Sequence, residues 1–422
     1  MNRTVLICCL LLIAAVSRAQ TGTDTLRLTL PQAEQQFIRQ NLNLLATRLG
    51  IDENRAYEMQ ARLLPNPTVY VEQMPYNAHT REFMPVKQSN SEQVIQVQQL
   101  ILLAGKRNKQ LALSATQTRM AADRFEDLVR TLTFQLRSTF YDLYFTQQAL
   151  GVYEQELATL QRTVDLYQQQ YNKGNVPLKD LARLKAYLFN LSTEQQQQLA
   201  RIADDGATLA VLLNTPPNVS ISAVVEAAAL TAQNPASLRA DTLLARAEVN
   251  RPDLRAVREQ TTFERQNLAL QKALAVPDLS LQGTYDRNAG YIPNYVGVGI
   301  GISLPLLNRN QGNIRAAEVR NQSSRQALSA YQLQVEADVW NALTKARQAD
   351  QLYRTFDRRF NDDFGRLIQG VIENYRKQNI DVVEFLDFFD AYKSNQIQYN
   401  QLQNNRLQRF EELNLAVGQQ VL

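Results

Sequence analysis

Residues 171–184 read Tyr-Asn-Lys-Gly-Asn-Val-Pro-Leu-Lys-Asp-Leu-Ala-Arg-Leu, and residues 375–388 read Tyr-Arg-Lys-Gln-Asn-Ile-Asp-Val-Val-Glu-Phe-Leu-Asp-Phe. The two stretches align at an offset of 204 positions and share a tyrosine, a lysine, an asparagine and an acidic residue. Upstream, an offset of 210 aligns Pro67 with Pro277. The chain therefore contains two copies of one unit, a pattern typical of solenoids, bundles and rings.

The long stretch before the first of these turns predicts a coiled-coil helix. No proline occurs from Gly105 to about Lys173, and apolar residues recur every seven positions, which is the period of coiled-coil packing. A helix of this length is roughly 100 Å long, more than a globular core needs. The two rows are Val129, Leu136, Leu143, Leu150, Leu157, Val164 and Tyr171, and Phe125, Leu132, Thr139, Thr146, Tyr153, Leu160 and Tyr167; the second copy continues the pattern as Val339, Ala346, Tyr353, Phe360 and Leu367.

The remaining helices repeat in order. The first copy predicts helices over 30–64 and from Pro177 to about Asn214, and the second over 240–275, 313–376 and 381–418, with stops at prolines or glycines. The two shorter helices of each copy together match its long one, so one long helix can pack against two stacked short ones. We expect a first repeat over 20–214, a linker rich in Pro, Ala and Ser over 215–237, and a second repeat over 238–422.

The amino terminus predicts export. Residues 1–19 combine Arg3, an apolar run and small residues near Ala19, which together are typical of a cleaved signal peptide. Both cysteines lie inside this run, so the mature chain should contain neither disulfides nor thiolate metal sites. The full chain has a net charge of +4, and a balance so close to neutral argues against nucleic acid as a partner.

Two pairs of β segments, near 68–101 and 278–305, indicate the environment. In the second pair, Val296, Val298, Ile300 and Ile302 alternate with glycines, so one face is apolar and the other nearly bare. This is typical of a lipid-facing strand of an outer-membrane barrel, although a soluble sheet with one buried face has the same period. Four strands cannot close a barrel, and open edges in lipid are costly. We therefore expect a mainly α fold with a small membrane β part, in which several protomers share one barrel above a coiled-coil helical barrel. Three copies would give twelve strands.

Several motifs resemble the TolC-like outer-membrane efflux family, and most of all the outer-membrane component of cobalt-zinc-cadmium resistance pumps. They are Leu63-Leu64-Pro65-Asn66-Pro67, the Tyr171-to-Gly174 turn, Leu103-Ala104-Gly105-Lys106-Arg107, and Pro305-Leu306-Leu307-Asn308-Arg309-Asn310-Gln311-Gly312-Asn313-Ile314. The resemblance implies a homotrimeric exit duct in the outer membrane with a long periplasmic extension. It also implies a periplasmic adaptor and an inner-membrane pump of the resistance-nodulation-division type as partners, and divalent heavy-metal cations as cargo.

Two other functions stay open at this stage. One is a general drug or small-molecule efflux duct of the same architecture, and the other is a periplasmic coiled-coil scaffold with no transport role. An enzyme is disfavoured because the only histidine, His79, lies in a loop, and we find neither a metal-ligand cluster nor a phosphate-binding glycine loop. We expect no cofactor.

The resemblance also assigns roles at the helix tips. Glu384 and Asp387 are expected to line the periplasmic mouth, with Asp180 and Tyr375 as further gate residues, while the family's gate arginine falls on Ile380. Carboxylates here would attract cations, but acids at a helix start also simply favour its dipole. The adaptor-contacting tips are expected to comprise Tyr171, Gly174, Asn175, Gln378 and Asn379.

Overall fold

The computed structural model describes residues 25–87, 91–226, 234–289, 292–355, 358–377 and 379–422. The signal peptide predicted over 1–19 lies outside these residues, as does Gln378. None of the helices within the described ranges combines the length and apolarity needed to cross a bilayer.

The described elements follow the predicted repeat. The first copy comprises β1 (Thr25–Thr29), α1 (Leu30–Gln40), α2 (Leu42–Ala61), β2 (Thr68–Gln73), β3 (Tyr76–Asn77), β4 (Glu82–Phe83), β5 (Gln93–Ile101), α3 (Lys106–Asn172) and α4 (Leu178–Leu213). Next comes β6 (Ser220–Val224), with a 3₁₀ turn at Pro235–Ser237. The second copy comprises α5 (Ala240–Asn250), α6 (Pro252–Leu274), β7 (Leu279–Ala289), β8 (Ile292–Ile302), α7 (Gln311–Thr355), α8 (Arg358–Arg376) and α9 (Val382–Val417).

The first helix of each copy is broken, which the sequence did not predict. The helix expected over 30–64 ends at Asn41 and restarts, and the one expected over 240–275 does the same at Arg251, 210 positions later. The Asn41 side chain accepts from Leu44 N–H at 3.0 Å and donates to Leu212 O at 2.9 Å, so it caps α2 and ties it to α4. At Arg251 the following Pro252 disfavours helical geometry.

Helix α3 confirms the long coiled-coil prediction. It runs for 67 residues, about 100 Å, and Leu136, Leu143 and Leu160 of its predicted rows are fully buried. In the second copy Val339, Ala346 and Tyr353 are buried as expected. The side chain of Phe360 lies outside the described residues.

Leu367, the last member of that row, does not pack in the core of the protomer. It is 46% exposed, and Ile368, Val371 and Tyr375 are buried in α8 instead. Their spacings of three and four residues belong to the 3.6-residue helical period, which departs from a strict heptad by about 20° per repeat.

The linker predicted over 215–237 contains part of a core. Strand β6 pairs in parallel with β1, from Thr25 opposite Ser220 to Thr29 opposite Val224. Ile221 and Ala223 pack into the same apolar cluster as Phe37 and Phe140. A composition typical of a linker therefore concealed a strand, because the partner strand lies almost two hundred residues away.

The elements are ordered in the same way at every level of the molecule. The four long strands pair in the order β2-β5-β7-β8. Below them the helices pack in the order α2-α3-α6-α7, and nearer the tips α4 packs on α3, α3 on α9, and α9 on α7 and α8. First-copy elements thus lie at one edge of the protomer and second-copy elements at the other.

A separate apolar cluster stabilises the end that carries the two repeated turns. We call it the tip core. It joins α3, α4, α8 and α9 through Tyr153, Leu160, Leu184, Leu191, Ile368, Tyr375, Phe385 and Phe389, among others.

Candidate functional site

The long sheet has one apolar and one polar face across all four strands. Its register places Val97 opposite Gly283 and Gly283 opposite Val298. Paired residues lie on the same face of the sheet, and every second residue along each strand shares that face. The apolar face carries Val69, Val71, Ile95, Val97, Leu279, Leu281, Tyr285, Val296, Val298, Ile300 and Ile302, and the other carries Gln96, Gln98, Ser280, Gln282, Thr284, Gly297, Gly299 and Gly301. The predicted lipid-facing residues are highly exposed in the single protomer, Val298 at 88%.

Both outer strands of this sheet have an unused edge. Among the described residues, β2 pairs only with β5, and β8 only with β7. Backbone groups along such edges require partners in an apolar medium, where each unsatisfied group costs several kcal/mol.

The Leu103–Arg107 motif, which follows β5, connects the sheet to the helices. The Lys106 ammonium lies 2.6 Å from Asp278 Oδ1 and 2.6 Å from Val276 O, and Leu103 N–H donates to the same carboxylate oxygen at 2.9 Å. Lys106 is only 6% exposed. This motif therefore joins the start of α3 to the start of β7.

The Pro305–Ile314 motif, which follows β8, forms the equivalent junction in the second copy through side-chain amide groups. Asn310 has a left-handed backbone (φ 58°), and its side chain donates to Gln271 O at 2.8 Å. Asn313 donates to Asn310 Oδ1 at 2.6 Å, and Arg309 N–H donates to Gln311 Oε1 at 2.8 Å. These polar residues form the turn itself, so their role within the protomer is structural.

The two tip turns are closed by equivalent hydrogen bonds. Asn175 N–H donates to Gln170 O at 3.0 Å, and Asn379 N–H donates to Asn374 O at 2.9 Å. The side-chain amides of the same pairs are also bonded, at 2.7 and 3.1 Å. Gly174 supplies the left-handed residue (φ 76°) in the first turn. Each turn therefore repeats an asparagine and an amide residue five positions before it. The sequence comparison aligned the two asparagines but did not include the amide partners.

The acidic residues at the start of α9 have different environments. Asp381 caps the helix by accepting from Val383 N–H and Glu384 N–H at 2.7 and 2.9 Å, and these bonds lower its pKa. Asp390 accepts from the Tyr187 hydroxyl at 2.9 Å and pairs with Lys393 at 3.0 Å. Glu384 and Asp387 are exposed, and neither belongs to an ion pair of the described part of the protomer.

Tyr375 is an interior residue of the protomer. It is 1% exposed and stacks on Phe385 and on Tyr167, with ring centroids 4.2 and 5.1 Å away. Burial raises the pKa of its phenol, so the ring stays neutral. The Tyr375 ring thus lies inside the protomer, and its role as a gate residue stays a prediction. Asp180 is half-buried in the first turn of α4, and Ile380 packs against the tip core.

Residues 243–419 match the family described as outer membrane efflux protein. This match lies within the second copy of the chain. The homologues and structural neighbours of the chain are outer-membrane efflux channels with a long periplasmic helical part, and channels of this kind operate together with an adaptor and an inner-membrane pump.

Individual relatives extend the similarity beyond the matched family region. The cobalt-zinc-cadmium resistance protein CzcC of Cupriavidus metallidurans is 22% identical over 312 residues, which cover 72% of this chain and 71% of CzcC. The CmeC outer-membrane channel of Campylobacter jejuni superposes with a TM-score of 0.77 at 13% identity, covering 93% of this chain and 87% of CmeC. CusC superposes with a TM-score of 0.74 at 16% identity, covering 92% of each chain.

No group of three or more His, Cys, Asp or Glu side chains within the described residues is placed to hold a metal ion. His79 is exposed, and its backbone N–H donates to Asn77 Oδ1.

Proposed function

We propose that this channel is the exit duct of a tripartite system that exports divalent heavy-metal cations. The observation that carries the cargo assignment is the similarity to CzcC over most of both chains. The exposed, unpaired carboxylates Glu384 and Asp387 at the tip add a chemical reason, because carboxylates attract cations and repel anions.

The free edges of the protomer support a closed ring of several copies, and the resemblance to trimeric ducts sets their number at three. Strand β8 of one copy would pair with β2 of the next, giving twelve strands, and α7 would meet α2 below them. Apolar stripes at both helical edges support this contact: Leu42, Leu45 and Leu49 recur on the exposed side of α2, and Leu333 and Trp340 on α7. The occupant of each stripe is thus another copy of the same chain.

In such a ring the tips surround a narrow periplasmic mouth. Three copies would bring up to six carboxylates, from Glu384 and Asp387, around one opening, where confinement strengthens their combined field. Asp381 also caps its own helix, so its carboxylate is held against the N–H groups of Val383 and Glu384. Asp180 would contribute from the first-copy tip, where it is half-buried.

The tips would also contact the adaptor. Tyr171 and Asn379 are exposed, and the rigid turns hold them at the end of the molecule farthest from the sheet. Gly174 and Asn175 would complete the first-copy contact surface and Gln378 the second. The pump partner of the resistance-nodulation-division type, and the division into repeats over 20–214 and 238–422, belong to the same proposal.

A susceptibility panel tests the cargo. A deletion strain should become sensitive to zinc, cobalt or cadmium salts and keep its tolerance of dyes, detergents and antibiotics, and the wild-type gene should restore metal tolerance. Sensitivity to dyes and antibiotics without metal sensitivity would instead establish a general small-molecule duct. Unchanged tolerance of every compound, with the protein recovered in a periplasmic fraction, would favour the scaffold.

Planar-bilayer conductance tests the mouth. The double variant Glu384→Gln with Asp387→Asn should assemble normally but lose part of its preference for cations and its block by multivalent cations. The difference should shrink toward 1 M salt, where the Debye length is about 3 Å. Asp381→Asn is the matched control, since it removes a charge from the same helix start. A double variant with wild-type selectivity at low salt would remove both residues from the mouth.

A further inference from the structure

Glu156 is a carboxyl group buried in the tip half of the protomer. It lies on α3 between Tyr153 and Leu160, is 4% exposed, and its Oε2 atom has no hydrogen-bond partner among the described residues. An ionised carboxylate in such a place is costly, whereas the protonated form is neutral. Burial raises the pKa of Glu156 to about 7, and the nearby Lys393 ammonium offsets this only in part.

The groups around Glu156 connect three helices. Lys393 of α9 is 6% exposed and lies 3.0 Å from Glu194 of α4 and 3.0 Å from Asp390 of its own helix. The Tyr187 hydroxyl of α4 donates to Asp390 at 2.9 Å. The titratable groups around Glu156 are Tyr153 on α3, Tyr187 and Glu194 on α4, and Asp390, Tyr392 and Lys393 on α9. The links through Lys393 and Asp390 join α9 to α4.

We infer that Glu156 is a proton-controlled contact that sets how firmly α9, and with it the mouth residues Glu384 and Asp387, is held against α3 and α4. Lys393 lies about 17 Å along α9 from its first residue, so a loosened contact here frees the segment that ends at the mouth.

The protonation state of Glu156 determines which carboxylates Lys393 pairs with. When Glu156 is protonated, Lys393 can bridge Glu194 and Asp390, and the helices stay together. When Glu156 is ionised, its charge is relieved either by Lys393 turning toward it, which breaks those bridges, or by water reaching it, which requires α9 to part from α3. Both responses loosen α9. The contact is therefore firm in acid and loose above neutral pH.

Hydrogen exchange on the whole purified protein tests this contact directly. The ionised fraction of such a carboxyl rises from about one tenth at pH 6 to about nine tenths at pH 8. After correction for the intrinsic pH dependence of exchange, peptides covering 386–396 should exchange up to about tenfold faster at pH 8 than at pH 6. Peptides from α6, far from Glu156, should not change.

Two variants separate this group from other acids. Glu156→Gln should remove the pH dependence and hold the 386–396 segment in its slow state at both pH values. Asp205→Asn is the matched control. Asp205 lies on α4, away from Glu156, and burial and the charges of Asp142 and Asp204 raise its pKa to about 6. That variant should keep the wild-type response. A pH response that survives Glu156→Gln, or that Asp205→Asn abolishes, would overturn the inference.

The wild-type measurement stands alone if Glu156→Gln does not assemble. Equal corrected exchange at pH 6 and pH 8 would rule the contact out without any variant, and Lys393→Met provides a second variant that should give fast exchange at both pH values. Conductance provides a further readout that rests on the proposed function: open probability should rise with a midpoint near pH 7. An exchange response without any ion current would leave the contact established and contradict the duct.

Discussion

An arginine at Val298 is expected to impair membrane insertion far more than an arginine on the opposite face of the same sheet. Val298 is the seventh of eleven residues in β8 and is 88% exposed on the apolar face. Eleven residues at about 3.3 Å each, tilted by about 45°, span close to the hydrocarbon thickness, so we expect Val298 to lie near the bilayer midplane.

The magnitude follows from that depth. An arginine facing lipid near the midplane costs about 2 to 4 kcal/mol, which corresponds to a loss of about 30-fold to 1,000-fold in the insertion equilibrium per protomer. The matched control is Gln282→Arg. Gln282 lies opposite Gly299 on the polar face, one position from Val298 across the strand pair. In the channel interior the same arginine stays hydrated and should cost little.

The assay is refolding of each variant from urea into phospholipid vesicles, with the inserted fraction measured by protection from protease. Val298→Arg should shift the insertion midpoint strongly and Gln282→Arg should follow the wild type. Equal losses at both positions, or a larger loss at Gln282, would refute the assignment of the two faces.

Three further predictions concern assembly, the sheet junction and pH. Trp340→Glu should weaken the trimer by at least about 2 kcal/mol per interface, measured by dissociation in detergent, whereas Leu166→Glu, equally exposed at 47% but on the central helix α3, should not. Asp278→Asn leaves the buried Lys106 ammonium without its carboxylate and should lower the free energy of unfolding by about 1 to 3 kcal/mol in a denaturant titration. The folded-state pKa of Glu156 is raised, so its protonated form stabilises the fold at low pH and about 3 kcal/mol of stability is lost as pH rises from about 4.5 to 7, a loss that Glu156→Gln should abolish in thermal melts across that range.

The sequence predicted the features that depend on local periodicity. The heptads identified α3, and the alternation of valine and isoleucine with glycine identified β8. The repeated tyrosine-to-asparagine stretch placed both tip turns. In each case the physical cause, a helix seam, a strand with two unlike faces or a six-residue turn, lies within a short segment of chain.

Features that depend on distant contacts were missed. The break at Asn41 requires the carbonyl of Leu212, and the strand at Ser220–Val224 requires β1 as its partner. Tyr375 looks like a surface gate residue from its place in a turn motif, but Phe385 and Tyr167 enclose its ring. Glu156 gives no signal in sequence because a single acid in a heptad is usually an exposed position.

The two copies differ in charge where they are most alike in shape. Over 177–187 the first-copy tip carries Lys179, Asp180, Arg183 and Lys185, whereas over 381–391 the second-copy tip carries four acids and no base. Lys179 and Arg183 lie close enough to Asp381 to lower its pKa, so the two tips attract each other within one protomer.

Because the two turns are closed by equivalent hydrogen bonds, a ring of three protomers would present six related tips that alternate in charge. The basic first-copy helices would neutralise part of the acidic second-copy field when the tips are close together, and would do so less as the tips separate. Opening would then strengthen the attraction of the mouth for cations as well as widen it. Duplication of one unit, followed by divergence of a few side chains at the tip, thus suffices to couple the width of a conduit to its charge.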